Sequence, residues 1–308
     1  MAAFRSGFVT VVGRPNSGKS TLVNRAVGTK VSIVSDRPQT TRTEIRGVRT
    51  TPATQIVFLD TPGLHRPRTL LGERTNARAR STLEEVDAIC QVVDATATIG
   101  SGDRFVAELV AGAGTPALLA LNKVDAASKE QVVGQLAAAS ELADFEAFVP
   151  VSAVRGDGVE TLLAELERRL PEGPHYYPEG MVTDQPETVL AGELLREKLL
   201  RVAREELPHS IAVTVEELEA RELETGDLDP PATERDDGVL RLRAVVRVER
   251  DSQKGIVIGK GGSVLRDAGT EARLELEALL GTSVYLETNV IVDPRWQQTP
   301  RALDRLGY

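Results

Sequence analysis

The feature that most constrains this chain is the segment Gly13-Arg14-Pro15-Asn16-Ser17-Gly18-Lys19-Ser20, set between the strand-like run FVTVV and the helix-like run KSTLVNRAV. A G-x-x-x-x-G-K-[ST] spacing is informative in that strand-loop-helix setting. There, backbone N–H groups curl around phosphate oxygens and the helix N-terminus adds positive potential. Lys19 is expected to reach the β and γ phosphates and Ser20 to ligate magnesium, with Gly13, Asn16, Ser17, Gly18 and Thr21 completing the contacts.

Residues 1–170 alternate between two textures. FVTVV, EIRGVRT, QIVFLD, AICQVVD, PALLALN and FEAFVPVS read as strands, and KSTLVNRAV, RTNARARSTLEEV, RFVAELVAGA, KEQVVGQLAAASEL and GVETLLAELERRL read as helices. Such alternation predicts an α/β fold, a P-loop NTPase G domain with a mostly parallel sheet and helices on both faces. Ligands then bind at the carboxyl ends of the strands. Cys90 is the single cysteine, so no internal disulfide can form and a reducing, cytoplasmic setting is expected. In the run AICQVVDA it reads as a buried thiol. No apolar run reaches the roughly eighteen residues of a membrane span. The start, MAAFRSGFVTVVG, lacks the pattern of a signal peptide.

Three later turns set the base and the reaction. Asp60-Thr61-Pro62-Gly63 ends the strand QIVFLD, where an acid can hold magnesium through water and the Gly63 N–H can sense a γ-phosphate. Asn122-Lys123-Val124-Asp125 ends PALLALN, and Asp125 can accept from both the ring N–H and the exocyclic amine of guanine. Adenine offers neither donor there, which would leave the carboxylate unpaired at a cost of about 10⁴–10⁵ in discrimination. Ser152-Ala153, after FEAFVPV, supplies a loop to close over the base. Thr40 and Thr41 fit a switch loop in which Thr41 completes the magnesium shell only when the γ-phosphate is present. GTP and GDP are thus the expected ligands and Mg²⁺ the expected ion, held by Ser20, Thr41 and Asp60; Lys19, Thr41, Asp60 and Gly63 are the candidate catalytic residues. Leu64 stands where many such enzymes carry a water-orienting glutamine, so slow intrinsic turnover is expected. The Asn16 amide is a candidate ligand for a potassium ion beside the phosphates.

The second half reads differently. Residues 171–187, PEGPHYYPEGMVTDQPE, are rich in Pro, Gly and acid and are expected to be a linker. Beyond it, residues 188–308 give a helix (about 188–206), strand SIAVTVEEL, strand VLRLRAVVRVE, a short helix, Gly259-Lys260-Gly261-Gly262, a helix (about 263–280) and strand SVYLETNVIV. Charge is unevenly spread. Residues 216–237 hold ten acids against Arg221 and Arg235, which leaves the rest of this net −9 chain close to neutral. That acidic segment, with Pro230 and Pro231, reads as a solvated hairpin loop. Residues 241–273 carry eight Lys or Arg against four acids. The α-β-β-α-α-β order around the glycine turn resembles a type II KH domain, in which a G-x-x-G turn lets a single-stranded RNA backbone lie against helix N-termini. Lys254, Gly259, Lys260, Gly261 and Gly262 are the candidate RNA contacts.

Taken together, GRPNSGKST, PQTTR, DTPGLH, NKVD, SA, REELPHS, VERDSQKGIVIGKGG and the trailing Trp296 resemble the bacterial Era family of GTPases over the full length. The resemblance implies a monomeric factor that binds small-subunit ribosomal RNA near its 3′ end and assists maturation of the small ribosomal subunit. It also implies peripheral association with the inner membrane face. After the last strand, NVIVDPRWQQ offers only Arg295 where the family often carries lysines, so fewer phosphate contacts are expected. The alternative reading keeps the GTPase but gives the second domain a protein or membrane partner. A tRNA-modifying GTPase would need a large helical domain and a cysteine near the C-terminus, and a double-G-domain factor a second phosphate loop. His65, His175 and His209 show no metal-ligand spacing and read as structural.

Overall fold

The structure, a computed structural model, describes residues 3–35, 41–42, 44–64, 67, 69–202, 210–218 and 239–308. Expectations for Thr40, His65, His209 and the acidic stretch after Leu218 fall outside these residues. The chain divides into two units, one running to Asp184 and regaining Leu303–Tyr308, the other comprising Gln185–Ala302.

In the first unit, β1 (Arg5–Val12), β3 (Thr54–Asp60), β4 (Ala88–Asp94), β5 (Ala117–Asn122) and β6 (Ala147–Pro150) run parallel, with β2 (Ile45–Thr50) antiparallel at one edge. The strand order is β2-β3-β1-β4-β5-β6. Both faces are covered, which explains why the central strands read as near-continuous apolar runs. Along β4, Ala88, Cys90 and Val92 join the cluster that includes Leu22, Val23, Leu162 and Leu163, from α1 (Lys19–Val27) and α5 (Val159–Glu167). Ile89 and Val93 point to the opposite cluster, built with α2 (Leu70–Glu84), α3 (Ser101–Ala113) and α4 (Lys129–Ala139). Cys90 is buried, and its burial pushes the thiol up to about 12, so it packs as an inert core group.

Residues 171–184 lack periodicity because polar bonds, not an apolar face, fix them. Buried Gln55 accepts from the amides of Tyr176 and Tyr177 and donates to the Tyr177 carbonyl, while the Ser6 hydroxyl donates to the Pro174 carbonyl. The His175 ring stacks on Phe4 at 4.1 Å. The last residues close on α2, where Arg74 donates to Asp304 Oδ1 at 2.6 Å and to the Tyr308 carbonyl at 3.0 Å.

The second unit opens with α6 (Glu187–Val202), then β7 (Ala212–Glu217), β8 (Val239–Val248), α7 (Asp251–Ile258), α8 (Ser263–Leu280) and β9 (Ser283–Val292). β7 pairs antiparallel and β9 parallel with β8. Alternation along β8 buries Leu242, Ala244, Val246 and Val248 on one face. Trp296 is fully buried and donates its indole N–H to the Ser210 carbonyl at 3.0 Å, so the trailing tryptophan pins the end of this unit. A short helix that the sequence reading omitted, α9 (Pro300–Arg305), follows it.

Candidate functional site

The loop after β1 delivers α1 with an unclothed N-terminus. Gly18 precedes the helix at φ 94°, and no side chain caps the first turn, so its N–H groups are left for an anion. Gly13, Ser17 and Gly18 form the loop; Asn16, Gly18, Lys19, Ser20 and Thr21 line a cleft of about 390 Å³. Lys19 lies in the cleft, its ammonium donating to the carbonyls of Arg14 at 2.9 Å and Gly13 at 3.3 Å. Burial pushes that ammonium down to about 8, with Asp60 pulling partly the other way. A buried cation whose hydrogen-bond partners among the described residues are carbonyls is a strong attractor for phosphate.

Ser20, Thr41 and Asp60 meet at the floor of the cleft. The Ser20 and Thr41 hydroxyls are 3.1 Å apart, and Thr41 Oγ1 is 3.5 Å from Asp60 Oδ2. Burial raises the Asp60 carboxyl above its ordinary range despite Lys19 and the hydroxyls of Ser20, Ser32 and Thr41. Asp60 Oδ1 is buried and has no hydrogen-bond partner among the described residues. An orphaned carboxylate oxygen beside two hydroxyls is a hard-oxygen donor set that fits Mg²⁺, with room left for water and phosphate. The ion, when bound, would neutralise charge on the β and γ phosphates.

Gly63 brings the turn after β3 against the phosphate loop. A Cβ there would lie 2.8 Å from the Pro15 nitrogen, so only glycine permits the approach. The next residue, Leu64, donates its N–H to the Gly13 carbonyl at 3.2 Å and buries its side chain in the core. Leucine in that position orients no water.

The candidate base-recognition residues gather at the ends of β5 and β6. Asn122 donates to the Ser17 carbonyl at 3.0 Å and accepts from the Ala153 N–H at 3.0 Å, tying the phosphate loop to the loop after β6. The Ser152 hydroxyl donates to Asp125 Oδ1 at 2.7 Å and accepts from the Arg155 N–H, which orients the Asp125 carboxylate. Lys123 reaches back to the Asn16 carbonyl. Sequence reasoning missed two supports. Arg25 of α1 donates to the carbonyls of Ala153 and Val154. Arg14 lies 2.8 Å from buried Asp103 in α3, an ion pair whose angle falls short of a hydrogen bond.

In the second unit, α7 carries Lys254 and ends at Gly259, and Lys260–Gly262 make a single 3-10 turn into α8. Gly259 has φ 73° and ψ 175°, and a Cβ there would lie 2.5 Å from a Val264 methyl. Gly262 caps α8 without a side chain, so this helix too presents free N–H groups. Beside it runs a groove of about 330 Å³ between α8 and β9, lined by Gly262, Arg266, Thr270, Arg273 and Thr288 among others. The groove's Arg266, Thr270 and Arg273 on α8, and Thr288 on β9, were not singled out from sequence, because the α8 residues read as an ordinary solvated face and a lone strand threonine carries no signal.

The fold and these two sites define a class: a GTPase of the P-loop type joined to a KH domain. Family models agree, that of the "50S ribosome-binding GTPase" matching residues 8–123 and that of the "KH domain" matching residues 206–297. GTPase Era of Mycobacterium tuberculosis (strain ATCC 25618 / H37Rv) is 51% identical over 312 residues, and that of Mycobacterium sp. (strain JLS) 49% over 311; each comparison covers 100% of both chains. A point-substituted variant of Aquifex aeolicus Era bound to GDP and AlF₄⁻ superposes with a TM-score of 0.90 at 36% identity over 99% of both chains. A crystal structure of Era with MgGDPNP and nucleotides 1506–1542 of 16S ribosomal RNA gives 0.90 at 37% identity, again over 99% of both. The chain belongs to the Era family of GTPases.

Proposed function

We propose that this GTPase is a switch which captures small-subunit ribosomal RNA near its 3′ end and assists assembly of the small ribosomal subunit, acting as a monomer. The observation that carries this reading is the full-length likeness to an Era that holds both MgGDPNP and a 16S ribosomal RNA segment. The groove beside the Gly259–Gly262 turn, with its arginines, supports it. In this reading residues 1–170 form the nucleotide domain, 171–187 the linker and 188–308 the RNA-binding domain. Lys254, Lys260 and the glycines 259, 261 and 262 carry the RNA backbone. Lys19 holds the phosphates, Gly63 reads the γ-phosphate, and Asp125 with Ser152 and Ala153 selects guanine. Ser20, Thr41 and Asp60 hold Mg²⁺.

Hydrolysis is slow without help because Leu64 is in the core, giving roughly 10⁻⁴–10⁻² s⁻¹. Potassium at Asn16 raises it; equal rates in potassium and sodium, unaltered by Asn16→Ala, would refute that part. The protein is placed in the cytoplasm with peripheral attachment to the membrane face. Among the described residues no helix is long and apolar enough to cross a membrane. The deciding experiment measures binding of single-stranded RNA matching the small-subunit 3′ end, with GDP and with a non-hydrolysable GTP analogue, across salt. Binding that is tighter with the GTP analogue, weakens with salt and is lost in Gly259→Asp supports the reading. RNA binding that is absent, or indifferent to all three, overturns it in favour of a protein or membrane partner.

A further inference from the structure

Asp94 ends β4 and belongs to none of the motifs that name the nucleotide site. The parallel register of β4 with β5 sets Asp94 opposite Asn122, and the Ala95 N–H donates to the Asn122 carbonyl at 2.8 Å. The following residue, Lys123, therefore emerges beside the Asp94 carboxylate. The two oxygens of that carboxylate have separate duties. Oδ1 accepts from the Thr96 N–H at 2.9 Å and from the Thr96 hydroxyl at 2.6 Å, which leaves Oδ2 aimed at the Lys123 ammonium, 2.6 Å away. The pair is largely shielded, with side-chain exposures of 12% for Asp94 and 36% for Lys123. The same ammonium donates to the Asn16 carbonyl at 2.8 Å.

Both ends of that last bond lie in an unusual backbone state. Among the described residues only three non-glycine residues have positive φ, and two of them are Asn16 and Lys123, each at 64°. Asparagine adopts the left-handed region more readily than most residues; lysine does not. Such conformations persist where surrounding bonds over-determine them. Here the bonds run from Thr96 through Asp94 to Lys123 and on to Asn16, in the middle of the phosphate loop.

We propose that Asp94 is a positioning residue of the nucleotide site, acting through Lys123 to hold the phosphate loop in its left-handed turn at Asn16. Asp94 does not line the cleft; its carboxylate fixes the ammonium, and the ammonium fixes the loop. The ground-state nucleotide complex then depends on the charge and reach of residue 94, while the chemistry of hydrolysis does not.

The test uses the full-length protein loaded with fluorescent mant-GDP and Mg²⁺, and reads its dissociation rate beside the melting temperature of the nucleotide-free protein. Loss of a charge-assisted bond predicts that Asp94→Asn releases nucleotide about tenfold faster. Asp94→Glu restores most of the wild-type rate, and Asp94→Asn adds less than about twofold once Lys123 is alanine, as expected for residues acting as one unit. A wild-type rate in Asp94→Asn overturns the proposal. So does the same acceleration on the Lys123→Ala background, because Asp94 would then act by another route. Should Asp94→Asn fail to fold, Thr96→Val takes its place, removing only the hydroxyl that orients Oδ1. It is expected to speed release about threefold, and an unchanged rate overturns the proposal.

Discussion

Lys19 offers a test in which the sign of a proton count is fixed by the structure. Without nucleotide its ammonium is buried, donates to two backbone carbonyls, and is pushed down to about 8 by that burial. Phosphates in the cleft stabilise the charged form and return the pKa toward or above the ordinary lysine value near 10.5. Nucleotide binding must then take up the protons that the empty site lacks: about a tenth of a proton at pH 7 and about half a proton at pH 8. Any proton expelled from Asp60, whose carboxyl is raised by burial, shrinks over the same interval, so the net uptake still climbs. The unfolded chain keeps its Lys19 proton up to about 10.5, which the empty fold releases near 8. The group's contribution to the stability of the empty protein therefore rises with pH across that window while nucleotide affinity falls. Calorimetry of Mg-GDP binding in buffers of different ionisation enthalpy counts the protons directly. A count that is the same at pH 7 and pH 8, or that falls, refutes the argument.

Three further outcomes follow from single contacts. In the proposed reading, Asp125→Asn replaces a carboxylate that accepts from two guanine donors with an amide that accepts from one, and should weaken GTP binding by about 10⁴ or more while admitting a xanthine nucleotide, whose C2 carbonyl accepts from the new amide; competition binding with both nucleotides reads this. Gly259→Asp forces a side chain into φ 73° and against Val264, and should destabilise the second unit by about 1–3 kcal/mol in denaturant unfolding without changing GTP turnover measured in the absence of RNA. Trp296→Ala empties a fully buried indole site and removes its bond to the Ser210 carbonyl, at a cost of about 3–5 kcal/mol read by the same unfolding assay.

Much of the nucleotide site was legible because its parts are short, local and placed after strands. The residues Gly13–Ser20, Asp60–Gly63 and Asn122–Asp125 declare themselves by spacing, and β4 and β5 by their unbroken apolar runs. Asp94 did not, since a lone acid at a strand end gains meaning only from the register that sets it opposite Asn122. Arg14 and Asp103 are likewise joined by packing of α3 and not by any pattern along the chain. Residues 171–184 carry no periodic signal because their backbone is held by scattered partners distant in sequence, among them the buried amide of Gln55, Ser6 and Phe4. In the second half the order of elements and the glycine turn were readable, whereas Arg266 and Arg273 look like any charged helix surface until β9 closes the groove.

The bonds from Arg74 to Asp304 and Tyr308 bear on how the protein should be handled. A purification tag or fluorescent reporter joined after Tyr308 would start against α2, the helix that follows Gly63, and would crowd the bonds that Arg74 makes to Asp304 and to the Tyr308 carbonyl. Turnover measured on such a fusion would report the tag as well as the enzyme.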